Sequence, residues 1–408
     1  MNGINMKKDK LLIVLAAAWI TYTTAYLCRV NISTALDKLA VGLEVSLEYL
    51  GAASSVYFVT YAIGQLLNGI AGDRVNPYKF VILALVLTGG VNVVLGLQTS
   101  GVMFLVLWGL NGFCQSMFWS TLLRLLSFHA REGQRKNVST VMSTTSVTGY
   151  LLSWVVLSDL FENSTYTPYF LVPGLIALAL IPVWIVLSGK VPFAASADNR
   201  VPTPPLPVVA KEFLHDRLYF ICLLCMVVGA IQEGAVFWLP MIFTDVLDLG
   251  KDSLFLLMLV PLAKLSGVFL ARRMLTVLKD NVRAASLCML LVSLAFSLVL
   301  LIAGGHTSLL TVIIIALLIA VINAANWYMI SYLPLYFAER NIVATLVGAF
   351  DFSTYIGAAV MSGTLGVLLV RHGWIAVPVL WTALVLLSLL LSFAGAGACL
   401  ALRGKRRP

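Results

Sequence analysis

Charge is what this chain has least of. Asp, Glu, Lys and Arg make up 11% of its 408 residues, where a soluble domain carries roughly 25%. One or two water-surfaced globules are thereby excluded. The long apolar runs exclude disorder. Neither proline (14) nor glycine (30) is in excess, so collagen-like and low-complexity character are excluded too. Cysteine is absent from the expected loops: Cys28, Cys114, Cys222, Cys225, Cys288 and Cys399 all fall in apolar runs, which gives no support to a disulfide scaffold or a loop metal site. Cys222-Leu-Leu-Cys225 has redox-motif spacing but no polar surroundings, and reads as packing. The four histidines (129, 215, 306 and 372) lie at or near loops, so a histidine proton relay inside the bilayer is not expected. No nucleophile-base-acid set, metal-ligand spacing or phosphate-cradling glycine loop stands out. Neither an enzyme nor an ATP-driven pump is expected, and no cofactor or metal.

Apolar sequence is what the chain has in abundance, at 60% hydrophobic residues and a mean hydropathy of +0.97. The stretches 81–97 and 309–322 are almost wholly apolar, without the alternation of a transmembrane barrel strand. The expected class is an all-α polytopic membrane protein. Runs of about 20 residues, enough to cross the hydrocarbon, fall at approximately 11–36, 48–72, 79–98, 101–128, 137–158 and 168–188. They resume at 217–244, 252–275, 283–304, 308–335, 341–368 and 373–402. Twelve transmembrane helices in two six-helix halves follow, residues 1–188 and 217–408, joined by a proline-rich, charged linker at 189–216. Gly69-Ile-Ala-Gly-Asp-Arg74 closing the second span lines up with Gly267-Val-Phe-Leu-Ala-Arg272 closing the eighth, a short trace of duplication.

Orientation follows from the basic residues, which stay cytoplasmic in short loops. With both termini inside, 22 of the 27 Lys and Arg are cytoplasmic, and the outside loops hold only Lys38, Lys251 and Arg371. The net +9 is therefore mostly topology. Arg403, Lys405, Arg406 and Arg407 read as topology signals beside lipid headgroups, and no nucleic-acid partner is expected. The first apolar run is too long for a removable signal peptide and is expected to be the first permanent span of a monomeric cell-membrane protein. Asn163-Ser-Thr165 matches a glycosylation acceptor on an outside loop, relevant only in a glycosylating host.

Only Arg29, Glu233, Lys264 and Asp351 are charged within the spans away from their ends, and they sum to zero. Each charge at the bilayer centre costs about 2.5–3.5 kcal/mol on insertion scales, so each needs a partner, a watery cavity or a route to the interface. Arg29 and Lys264 have side chains long enough to snorkel. Glu233 and Asp351 do not, and the plain structural reading for them is an ion pair with Lys264. Polar stripes at helical spacing accompany the charges. Tyr22, Tyr26, Arg29 and Ser33 share one face of the first span, and Tyr57, Tyr61, Gln65 and Asn68 one face of the second. Trp108, Asn111, Gln115 and Trp119 do so in the fourth, Asn323, Trp327 and Ser331 in the tenth, and Asp351, Tyr355 and Ser362 in the eleventh. One such stripe alone is more often interhelical glue than a ligand site. Stripes in both halves point to a substrate cavity at the bilayer midplane.

These residues also form recognisable motifs. Tyr61-x2-Gly64-x4-Gly69-x3-Asp73-Arg74-x-Asn76-Pro77-x-Lys79 resembles the signature of the major facilitator superfamily. Tyr26-x2-Arg29-Val30-Asn31-x-Ser33, Gly51-x2-Ser54-Ser55-x-Tyr57, Trp108-x2-Asn111-Gly112-x2-Gln115 and Arg124-x3-Phe128-x3-Glu132 resemble its organophosphate:phosphate antiporter family, over residues 20–150. The resemblance implies a secondary transporter of alternating access in which Arg29 contacts the substrate's anionic group. Gly69, Asp73, Arg74 and Arg124 become a gating motif, with Asp73 facing the positive N-terminus of the eleventh span. Two cationic positions of the family are changed. The span-2 lysine is Gln65 here, and the span-7 arginine, eight residues before the proline of Trp238-Leu-Pro240, is Gln232, followed by Glu233. A small organic anion or zwitterion is therefore the expected solute, organophosphate-like or carboxylate, in exchange for phosphate. Expected contacts are Tyr26, Arg29, Tyr57, Tyr61, Gln65, Asn111, Gln115, Gln232, Trp327 and Tyr355, with Glu233, Lys264 and Asp351 as coupling or ion-pair residues. The alternatives are a proton-coupled symporter or exporter, using Glu233 and Asp351, and a non-transporting sensor of the same fold.

Overall fold

The computed structural model describes residues 2–191, 204–234, 256, 258–303 and 309–396, and every regular element among them is helical. The helices are α1 (Asn2–Thr34), α2 (Leu36–Gly42), α3 (Leu47–Gly72), α4 (Pro77–Leu97), α5 (Gly101–His129), α6 (Glu132–Leu151), α7 (Thr167–Ala179) and α8 (Ile181–Lys190). Then come α9 (Leu206–His215), α10 (Tyr219–Gly229), α11 (Leu259–Val277), α12 (Val282–Ala303), α13 (Leu309–Trp327), α14 (Val343–His372) and α15 (Ala376–Leu391). The Trp238-Leu-Pro240 segment, Lys251, His306, Cys399 and the basic cluster after residue 402 lie outside the described residues.

Each of the twelve expected spans meets a helix. Ten helices are long and apolar enough to cross a membrane among the described residues, or eleven if α9 and α10 count as one bent span. The eighth span, α11, is not among the ten because its 19 residues hold Lys264, Arg272 and Arg273. Where a span begins, local chemistry sets the boundary. Ser46 Oγ accepts from Tyr49 N at 3.1 Å to cap α3. Asn76 Oδ1 accepts from Tyr78 N at 3.0 Å and Lys79 N at 3.4 Å, with Pro77 taking the first helical position of α4. Ser100 Oγ accepts from Met103 N at the start of α5. The sixth span divides at Leu180, beside Pro182 of α8, which has no N–H to continue the ladder.

Residues 189–216, read from the sequence as linker, are not all extended. Leu206–His215 form α9, which starts at its prolines because proline has no N–H to pair and the first helical turn leaves its N–H groups without intrahelical partners anyway. α9 then turns by 79° into α10.

Two compact units emerge. The first comprises Met1–Pro204 with Pro334–Phe352, the second Pro205–Leu333 with Ser353–Pro408. In the first, Trp108, Tyr61, Phe104, Phe118 and Phe170 are fully buried; in the second, Trp381 and Tyr328. Val102, Ile185, Ile302 and Leu310 are more than half exposed, a surface that lipid solvates and water does not. Close helix approaches depend on glycine. A Cβ on Gly69 would lie 2.7 Å from the carbonyl oxygen of Ala344, and one on Gly267 would lie 2.1 Å from that of Ala320. The glycine of the repeat trace thus serves close packing in both copies.

Candidate substrate-binding site

Within the first unit, the polar stripes of α1, α3 and α5 converge. Arg29 is 8% exposed. Its guanidinium lies 4.7 Å from the Tyr26 ring centroid and 4.4 Å from that of Tyr61, so two aromatic faces offset the positive charge where water cannot. Its Nε donates to Gln115 Oε1 at 3.3 Å, the same oxygen that accepts from Tyr57 Oη at 3.0 Å. Tyr57 stacks between Tyr61 and Trp108, with centroid separations of 5.9 and 5.0 Å. Tyr26 packs on Tyr22 and Tyr150. Gln65, one turn along α3 from Tyr61, is wholly buried, and neither of its amide atoms has a hydrogen-bond partner among the described residues. Asp351, 4% exposed, belongs to the same unit.

Asn111 belongs to a different layer. It donates to the Cys28 carbonyl at 2.9 Å and accepts from Asn92 at 3.0 Å, while Asn92 in turn accepts from Asn31 at 3.0 Å. This chain of amides ties α1, α4 and α5 together behind the arginine. Gln115 Nε2 also donates to the Cys28 carbonyl, at 2.8 Å, which fixes its oxygen toward Arg29. Asn31 stands in the Tyr26–Ser33 motif, whereas Asn92 was not singled out from the sequence. The signal for Asn92 was there, as the one amide in the largely apolar stretch 80–97.

The remaining residues of the motif form a clamp at the other end of α3. Asp73, 1% exposed, accepts from the backbone N–H of Ala344 at 3.0 Å and of Thr345 at 2.7 Å, the first turn of α14. A carboxylate there satisfies orphan donors and meets the positive end of the helix dipole. Arg124 Nε stands 3.4 Å from Asp73 Oδ1. Arg124 also donates to the carbonyls of Gly72 and Val75 and to Asn341 Oδ1. Burial pushes the Asp73 carboxyl above its usual range, and the Thr345 hydrogen bonds and Arg124 pull the other way. Arg74 stands apart, exposed just beyond the end of α3 and donating to Ile70 O in its last turn at 2.6 Å.

The second unit holds a second polar cluster. Ala230–Gly234 widens into a π-helical turn after α10, and Glu233 from that turn accepts from Lys264 Nζ at 3.2 Å. Gln232 Nε2 donates to Glu233 at 3.1 Å and to Asn323 Oδ1 at 2.9 Å, and Asn323 Nδ2 returns to the Lys264 carbonyl. Trp327 stacks on Tyr332 at 5.4 Å. Tyr355 is buried in the same unit. Of the four intramembrane charges, Lys264 thus pairs with Glu233, whereas Asp351 belongs with Arg29 to the first unit.

Sequence comparison bears on this arrangement directly: a family model described as Major Facilitator Superfamily matches residues 18–362. The chain belongs to the Major Facilitator Superfamily. This superfamily chain is 28% identical, over 162 residues, to the probable hexose phosphate transport protein of Chlamydia pneumoniae, covering 40% of the chain and 36% of that protein. It is 25% identical to the membrane sensor protein UhpC of Salmonella typhimurium, covering 54% of the chain and 46% of that protein. The matches therefore span from about a third to just under half of those relatives' lengths. In fold, it is similar to the outward-conformation crystal structure of the transporter FucP, with a TM-score of 0.72 and 13% identity over 94% of this chain and 99% of that one. As a superfamily member it is a multi-pass membrane protein of transporter fold rather than an enzyme.

Proposed function

We propose that the protein is a secondary transporter of the cytoplasmic membrane. It moves a small organic solute with an anionic group by alternating access of two six-helix bundles, residues 1–188 and 217–408, with both termini cytoplasmic. The observation that carries this reading is Arg29, a buried guanidinium bedded on Tyr26, Tyr61 and Gln115. An arginine kept at membrane depth suits an anion because its planar fork meets two oxygens at once. The similarity to a probable hexose phosphate transport protein and to a membrane sensor supports a phosphorylated or carboxylated solute, with phosphate exchange as the coupling and proton coupling as the alternative. The likeness to a membrane sensor favours a second reading, in which the protein binds its solute without moving it.

The test is uptake by purified protein in phosphate-loaded liposomes, with labelled glycerol 3-phosphate, lactate and serine as probes. Wild type is expected to accumulate at least one probe, and Arg29→Ala to accumulate none while eluting as a folded monomer. Undiminished uptake in Arg29→Ala refutes the assignment. Binding without uptake in wild type selects the sensor.

A further inference from the structure

We propose that the Arg29 chamber takes a zwitterion, a solute with one anionic group and one protonated amine, and that Asp351 is the residue that selects it. The inference rests on the reading of Arg29 as the anion ligand.

The position of Asp351 follows from a helix crossing inside the first unit. A Cβ on Gly348 would come 2.3 Å from Gln65 O and 2.9 Å from Gly69 Cα, and one on Gly72 would meet the Ala344 side chain. Pairing thus runs 72 with 344, 69 with 348 and 65 with 348, so rising numbers on α14 meet falling numbers on α3. One turn further along each helix, Asp351 comes level with Tyr61. Tyr61 is also the ring on which the Arg29 guanidinium rests. A buried cation and a buried anion therefore stand about one tyrosine.

The consequence is electrostatic. Tyr26, Tyr57, Gln65 and Gln115 are neutral, so Arg29 and Asp351 leave the chamber without net formal charge. In a low-dielectric site an added net charge is strongly disfavoured. A dianionic phosphate ester brings two negative charges to a single arginine and sets them beside a carboxylate. A zwitterion brings none in sum: its anionic group takes the Arg29 fork and its ammonium takes Asp351. Gln65 adds a donor and an acceptor, both without partners among the described residues, that either end can use. The family lysine position is thus filled by a group neutral toward both ends of the solute.

The experiment measures thermal protection of the purified full-length chain. Probes are short α- and β-amino acids including L-serine, their hydroxy-acid counterparts including D-glycerate, and glycerol 3-phosphate. In wild type at least one amino acid is expected to protect, about tenfold more tightly than its hydroxy-acid counterpart, as a charge-assisted hydrogen bond implies. Glycerol 3-phosphate is expected not to protect. Asp351→Asn, which leaves the chamber cationic, is expected to invert that order, and Asp351→Glu to keep it. The Glu variant decides the matter if the Asn variant does not fold. Protection of wild type by glycerol 3-phosphate or the hydroxy acids equal to or above that of the amino acids overturns the zwitterion. An unchanged order in Asp351→Asn, or protection by no amino acid, does the same. Loss of protection by anions in Arg29→Ala keeps the anion reading even then, whereas protection indifferent to Arg29→Ala removes that reading too.

Discussion

Asp73→Ala removes the acceptor on which the first turn of α14 rests. Two backbone donors meet that carboxylate, Ala344 N at 3.0 Å and Thr345 N at 2.7 Å, and the Arg124 guanidinium pairs with it, its Nε at 3.4 Å. With Asp73 1% exposed, water is poorly placed to replace it. Leaving a buried donor unpaired costs about 1–3 kcal/mol, and breaking a buried ion pair about 3–5 kcal/mol. The two figures overlap, and Arg124 keeps the Gly72 and Val75 carbonyls and Asn341. A net loss of about 3–4 kcal/mol is expected for Ala, and about 1–2 kcal/mol for Asp73→Asn, which retains one carbonyl oxygen. At roughly 2 °C per kcal/mol for a chain of this size, the apparent melting temperature should fall by about 6–8 °C and 2–4 °C respectively. Hydrogen exchange at the amides of residues 344 and 345 should accelerate in the same order, because these are the donors set free. An Asp73→Ala protein that melts within about 2 °C of wild type, with unchanged exchange at those amides, refutes the clamp.

Two further outcomes follow from packing and pairing. Gly348→Ala should destabilise by about 1–3 kcal/mol, since its Cβ would meet the Gln65 carbonyl at 2.3 Å, whereas Gly90→Ala, with open space around its Cβ, should be neutral in the same melting assay. Lys264→Met, which strands Glu233 at membrane depth, should cost about 3 kcal/mol, and Glu233→Gln combined with it should recover part of that loss. A strictly additive double mutant counts against the pair.

Why was so much of the helical plan readable from the residues? Lipid as solvent demands a long apolar run for every span, and Asn76-Pro77 or Ser100 before such a run marks where it begins. The resemblance of 26–33, 61–79 and 108–132 to family motifs likewise pointed to Arg29, Asp73, Gln115 and Arg124. α9 escaped notice because prolines read as linker also fit a first helical turn. Asn31 and Asn111 stood in motifs, but their link through Asn92 was hidden because the three are 61 and 19 residues apart and a single amide in span 3 carries no periodic signal. The π-helical turn that presents Glu233 was hidden too, since one extra residue in a turn leaves no mark on composition.

Sequence alone determined the class of the molecule, because composition sets the solvent and the solvent sets the secondary structure. It also determined which side chains were costly enough at membrane depth to need a reason. How those charges pair was decided only by tertiary structure. Lys264 had two acidic candidates, Glu233 and Asp351, equivalent by residue type. The wide turn at 230–234 gave it Glu233, and the glycine-to-glycine crossing of α3 and α14 packed the start of α14, with Asp351, into the first unit with Arg29. Coulombic attraction falls with distance and rises with burial, and neither quantity exists until the helices have packed.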